Sequence, residues 1–227
     1  MMAETLKILF EDNHLLVLDK PPLIATMGVS DDEPSLLKHA KEYIRRKYNK
    51  PGNVYLGVVS RLDAFVSGVI VFARTSKSAS RLSEQIRSGK IKKTYWAIVP
   101  NRLKQPSGSL RHYVYKDDAR RRMFATDQPA ADRKHATLSY QTLATAAGKA
   151  LLEIDLETGR KHQIRVQFSH VGCPIVGDRK YDSDVAFNKG IALHCRSLHF
   201  EHPTQKTRIT VKSDPPGWWN LASFGIS

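Results

Sequence analysis

Arg61 and Asp63 stand two residues apart in the stretch Gly57-Val58-Val59-Ser60-Arg61-Leu62-Asp63-Ala64-Phe65-Val66-Ser67-Gly68-Val69-Ile70-Val71-Phe72-Ala73. Apolar runs flank them, and the second run, Val69 to Ala73, is β-branched and short enough to read as a buried strand. In an extended segment this spacing turns both charges to one face. An arginine and a carboxylate beside a buried strand are costly to desolvate unless they pair or do chemistry. A solvated ion pair on a surface turn is the competing reading. Two further stretches hold candidates: Lys93-Thr94-Tyr95-Trp96-Ala97, and Gly159-Arg160-Lys161-His162 followed by Arg165. The glycine-containing run precedes a helical pattern, where backbone N–H groups receive a phosphate or are simply capped. No metal is expected. His194, Cys195, His199 and His202 lie close in sequence, but on a strand His194 and His199 point to opposite faces, as do His199 and His202.

The chain that must position these groups has 227 residues, room for one large domain or two fused lobes. Its 36 Lys+Arg against 22 Asp+Glu give a net charge of +14, which favours a polyanionic partner bound in a salt-sensitive way. The basic residues are spread along the chain, which favours a folded surface contacting phosphates over a basic tail. Two cysteines without paired spacing suggest neither a disulfide framework nor a thiolate zinc site. No apolar run is long enough to span a bilayer, and the first residues lack a secretory pattern, so a reducing cytoplasm is expected.

Ile8–Phe10 and Leu15–Leu18 read as a hairpin around Glu11-Asp12-Asn13-His14. A helix is predicted after Pro34-Ser35, with Leu37, Ala40 and Ile44 on one face, and another is capped by Ser76, with Ala79, Leu82 and Ile86 inward and Gly89 as its stop. Residues 93–99 form a strand pattern with Tyr95, Ala97 and Val99 facing one way. Residues 101–135, with Arg120-Arg121-Arg122, read as an irregular or edge region. Residues 136–143 and 149–156 read as antiparallel strands. A helix follows with Ile164, Phe168 and Val171 as its buried stripe. A hairpin of Ala192–Phe200 and Arg208–Val211 precedes a packed Trp218-Trp219 tail. The fold class is α+β, with a mixed, largely antiparallel central sheet flanked by helices and loops.

The set Arg61-Leu62-Asp63 with Ser67-Gly68, Lys93-Thr94-Tyr95-Trp96-Ala97, and Thr158-Gly159-Arg160-Lys161-His162-Gln163-Ile164-Arg165-Val166 resembles RNA pseudouridine synthases of the RluA type. Ile8 to Asp12, Leu18-Asp19-Lys20-Pro21, Pro174-Ile175-Val176-Gly177-Asp178, and Leu198-His199-Phe200 with His202-Pro203 extend the resemblance over nearly the whole chain, in the family's order. The resemblance implies one catalytic domain over residues 1–227, with two lobes around a basic cleft and without a separate N-terminal RNA-binding domain. The implied reaction isomerises a uridine in structured RNA, ribosomal or transfer, to pseudouridine. The target base is flipped out of its helix, and no cofactor is needed.

By the same resemblance Asp63 is the catalytic carboxylate. Tyr95 stacks on the flipped uracil, and Arg165 pairs with the catalytic aspartate and keeps it ionised. Arg61 fills the gap left by the base. Lys93, Arg160, Lys161 and His162 complete the RNA-binding set. An apolar residue under the base is sought among Ile175, Leu193 and Leu198. Ser60 replaces the family's common histidine, Ala64 a basic residue and Val66 a threonine. These departures lend support to one alternative, an RNA-binding or chaperone module retaining the fold; a base-excising hydrolase that flips uracil and releases it is the other rival. No membrane and no obligate protein partner is expected, and a monomer is the expected state.

Overall fold

The computed structural model describes residues 6–226. The chain forms two compact units, one from residues 1–91 and 195–214, the other from residues 92–194 and 215–227. Among the described residues no helix is long and apolar enough to cross a membrane.

The first unit opens with β1 (Lys7–Glu11) and β2 (Leu15–Lys20), paired antiparallel as the turn residues between them predict. Helix α1 (Leu36–Lys47) starts at Ser35, whose hydroxyl accepts the Lys38 N–H. Its buried face is Leu36, Ala40 and Ile44. The stripe thus begins one residue earlier than the sequence pattern suggested, because Leu37 lies at its margin. Strand β3 (Gly57–Val58) and strand β4 (Ser67–Ala73) follow, and all seven residues of β4 are buried. Helix α2 (Ser76–Arg87) is capped by Thr75 rather than Ser76. It buries Ser78, Leu82 and Gln85, and Gly89 turns away after it with φ +67°. Glu11 joins β1 to α1 by accepting the Tyr43 and Tyr48 hydroxyls and the Lys47 ammonium.

The second unit begins with β5 (Lys92–Pro100), which pairs antiparallel with β9 (Lys149–Leu156). Residues 101–135 depart from the irregular region expected. They form a long strand β6 (Ser107–Asp117) and its hairpin partner β7 (Arg122–Thr126). The apolar positions of β6, Leu110 and Val114, alternate with polar residues widely enough to hide the period in sequence, yet both are buried. Strand β8 (Lys134–Ala146) lies between β6 and β9, giving the order β5-β9-β8-β6-β7. Ala147 and Gly148, both at positive φ, make the β8–β9 turn. Helix α3 (Gln163–His170) is buried from Gln163 through Phe168, so no single stripe describes it, and Val171 lies outside the helix and exposed.

β10 (Leu193–Glu201) and β11 (Arg208–Lys212) form the last hairpin. From Cys195 onward β10 belongs to the first unit, where the order is β1-β2-β4-β10. The contact between β4 and β10 explains the Ser67-Gly68 pair. Gly68 has φ +112°, and a Cβ there would sit 2.3 Å from the Cys195 carbonyl oxygen and 2.6 Å from its nitrogen. Backbone cannot yield as a side chain does, so only glycine fits. Of the C-terminal pair, Trp219 is buried and Trp218 exposed.

Gly68→Ala combines a forbidden φ with a backbone clash and is expected to cost at least about 3 kcal/mol of stability. Urea denaturation against wild type checks this, and a loss below 1 kcal/mol would contradict the close approach.

Candidate functional site

In the first unit, Asp63 lies in the loop between β3 and β4. This is a tight turn rather than the extended segment its spacing suggested. The Asp63 carboxylate accepts the Phe65 N–H at 3.0 Å, and its carbonyl accepts the Val66 N–H at 3.1 Å. Arg61 is on the same loop and exposed.

The segment after β2 fixes this loop from behind. Thr26 Oγ1 donates to the Leu62 carbonyl at 2.8 Å and accepts the Leu62 N–H at 3.2 Å. Leu23 N–H reaches the Ala64 carbonyl at 2.7 Å. Lys20, 0% exposed, donates to the carbonyls of Pro21 (2.9 Å), Ile24 (2.8 Å) and Ala64 (3.2 Å). Three carbonyls match the three donors of an ammonium. Burial nevertheless pushes the Lys20 pKa down to about 7, the negative charge of Asp63 opposing the shift.

The second unit carries the remaining candidates. Tyr95 and Lys93 lie two apart on β5, Tyr95 buried opposite Ile154 of β9. Arg160 and Lys161 are exposed, and Arg160 Nε donates to the His135 carbonyl at 3.0 Å. His162 is the residue before α3 and adopts the left-handed conformation, φ +54°. The amide oxygen of Gln163 folds back to accept Arg160 N–H at 3.0 Å and the Thr158 hydroxyl at 2.8 Å, which holds the preceding loop closed.

Arg165 is almost fully buried and meets Asp178 through two bonds, Nε to Oδ2 at 2.6 Å and Nη2 to Oδ1 at 2.7 Å. A bidentate pair of this kind fixes the guanidinium plane. The ring of Tyr181 lies 4.8 Å from the Arg165 guanidinium and 4.9 Å from that of Arg122. Its hydroxyl accepts Met123 N–H and lies within hydrogen-bond distance of His162 Nδ1, at 2.7 Å. Burial raises the Tyr181 pKa, which keeps the phenol protonated.

Sequence reasoning missed Lys20, Asp178 and Tyr181. Lys20 and Asp178 fall in the segments Leu18 to Pro21 and Pro174 to Asp178, whose signal was a lysine and an aspartate joined to apolar runs; their burial decides their role. Ile175, Leu193 and Leu198 are all buried.

Among the described residues, His112, Asp127 and His170 are grouped closely enough to suggest a metal. The hydrogen bonds argue otherwise. The Gln167 amide nitrogen spends its two protons on the Leu110 and Ala136 carbonyls and lies 3.1 Å from His112 Nδ1. An amide nitrogen accepts no proton, so Nδ1 carries none and the neutral ring is protonated at Nε2, the atom 3.6 Å from Asp127. Burial and the charge of His170 lower the His112 pKa and favour this neutral form. No lone pair faces Asp127, and the group does not fit a metal.

Residues 14–170 match the sequence profile described as RNA pseudouridylate synthase. This chain belongs to that family. It is 35% identical over 219 residues to ribosomal large subunit pseudouridine synthase C of Buchnera aphidicola, covering 91% of this chain and 66% of the relative. It is 32% identical over 217 residues to an uncharacterised RNA pseudouridine synthase of Bacillus subtilis, covering 93% and 69%. The chain thus spans about two thirds of the length of these curated relatives. The human RNA pseudouridylate synthase domain containing 4 superposes with a TM-score of 0.80 at 23% identity, covering 96% of this chain and 93% of that one, a likeness of fold. The RluA-type resemblance and the α+β class with a mostly antiparallel sheet are thereby borne out. The family match spans Asp63, Tyr95 and Arg165, together with Lys20.

Two substitutions follow from this pseudouridylate synthase fold. Because the folded-state pKa of Lys20 lies below the ordinary 10.5, the unfolded chain binds more protons there between pH 7 and 10.5. Wild-type stability gains from this residue as pH rises through that window. Lys20→Met unpairs three carbonyls, costs about 2 kcal/mol or more at pH 7, and loses the gain. Denaturant melts at pH 7 and 9.5 check both effects, and parallel stability curves would contradict the second. Asp178→Ala leaves the Arg165 charge buried without its bidentate partner and is expected to cost about 3 to 5 kcal/mol. Thermal and urea unfolding test it.

Proposed function

We propose that this chain converts uridine to pseudouridine in RNA. The bond from ribose C1′ to uracil N1 breaks, the base rotates while held, and C1′ joins C5; C5 gives up its proton and N1 takes one up. Bonds and electrons balance within the nucleoside, so the isomerisation draws on no redox cofactor, nucleotide or metal. Asp63 is the carboxylate that acts on the ribose or the base. Tyr95 and Arg165 assist it, Tyr95 by stacking on the uracil. Arg61, Lys93, Arg160, Lys161 and His162 hold the RNA. The substrate class is structured RNA, with ribosomal RNA favoured by the named relative of Buchnera aphidicola. The chain acts as a monomer in the cytoplasm.

The observation that carries this reading is the family match across residues 14–170, which contains Asp63 in a turn bonded on both sides. The +14 charge supports an RNA partner. Ser60, Ala64 and Val66 leave Asp63 and its anchoring bonds intact, since those bonds come from backbone groups, Thr26 and Lys20.

The test is tritium release from RNA labelled at C5 of uridine, taken from cells lacking the protein. Wild type releases tritium and leaves pseudouridine in the digest, and Asp63→Asn lowers release at least about 1,000-fold. Salt-sensitive binding without turnover by either protein would favour the RNA-binding module. Free uracil without pseudouridine would favour the hydrolase, and equal release by both proteins would remove Asp63 from the mechanism.

A further inference from the structure

Three large apolar side chains stand exposed on the two loops that meet around Asp63: Leu23 (59%), Met27 (40%) and Phe65 (47%). The loops are not loosely apposed. Leu23 N–H and Lys20 Nζ both donate to the Ala64 carbonyl, and Thr26 and Leu62 bond reciprocally. The Phe65 N–H donates to the Asp63 carboxylate, so the backbone that carries the ring is tied to that carboxylate. Leu23 has φ +69°, a conformation that a branched, bulky residue adopts only at a cost and that clusters at functional sites. The chain thus bears backbone strain where it also leaves a leucine in water.

We propose that this apolar rim, with Phe65 at its centre, stacks on an unpaired nucleobase beside the target uridine and sets which flanking nucleotide is accepted. The proposal rests on the reading above, in which an RNA strand is delivered to Asp63. Chemistry favours a base over a protein partner. An aromatic ring offers every base a face for stacking, and the exposed Arg61 on the same loop supplies a guanidinium for the adjoining phosphate. Three side chains are far too little surface for a stable protein interface, which needs about 800 Å² per partner. The overall charge of +14 also draws a polyanion.

The experiment compares wild type, Phe65→Ala and Phe65→Trp on a short stem-loop RNA built around the uridine mapped by pseudouridine sequencing, and on copies with an abasic nucleotide at each flanking position. Phe65→Ala is expected to raise KM about tenfold, the loss falling on KM rather than kcat, while Phe65→Trp keeps the wild-type KM. At one flanking position the abasic substitution should raise the wild-type KM to the Phe65→Ala value and leave the variant unchanged. Equal KM values for wild type and Phe65→Ala would overturn the proposal. So would a Phe65→Ala defect that persists with every abasic RNA, or one that falls on kcat and is shared by Phe65→Trp, which would mean that the ring supports the Asp63 turn. Wild type that turns over no RNA at all would overturn the function itself, an outcome distinct from those three.

Discussion

A single buried ammonium holds the loop that carries Asp63. Lys20 ends β2 inside the protein, and its three donors reach carbonyls on both the segment that follows it and the loop of Asp63. Burying a charge is expensive, and the depressed pKa expresses that expense. Three carbonyl dipoles and the nearby carboxylate of Asp63 offset it. The outcome is a turn whose backbone is over-determined, with Leu62, Ala64, Phe65 and Val66 each hydrogen-bonded. A carboxylate on such a turn has little freedom to drift, the preorganisation that the catalytic role proposed for it requires.

The second unit solves the same problem with opposite charges. Arg165 is locked by two bonds to Asp178 and lies against the face of Tyr181, whose hydroxyl in turn fixes His162. Removing water from an arginine is tolerable here because a carboxylate and an aromatic face replace its hydration. Two of the candidate groups are thus oriented by neighbours outside the candidate set. Asp178 and Tyr181 orient Arg165, and Lys20 and Thr26 orient the Asp63 loop.

Much of this was legible in sequence where local signals are strong. The β1–β2 hairpin, α1, α2, β4, β5 and the last hairpin follow from turn residues, caps and apolar runs. The β6–β7 hairpin was not, because Arg120-Arg121-Arg122 and the acidic residues before them mask the two buried aliphatic positions on β6, Leu110 and Val114. Helix α3 deceived in another way: it is buried nearly all round, Gln163, Arg165 and Gln167 included, and a stripe analysis presumes a wet face. Lys20 was unreadable for a related reason. A lysine at the end of an apolar run looks like a solvated strand terminus, and only the carbonyls gathered from residues 21, 24 and 64 reveal otherwise. The Ser67-Gly68 pair was visible as a motif, and its cause, the backbone of Cys195, required the fold.

The first unit is discontinuous: its strand β10 comes from residues that follow the whole of segment 92–194. On the ribosome, β1, β2 and β4 are therefore made well before the strand that lies against Gly68. Until Cys195 arrives, the part of that edge of β4 not paired by β3 presents unpaired backbone on a strand destined for full burial, the kind of surface that recruits other chains. Nascent-chain folding of this unit must wait for the hairpin β10–β11. Exposure of that edge then ends only when the hairpin has left the ribosome, however early the N-terminal strands have formed.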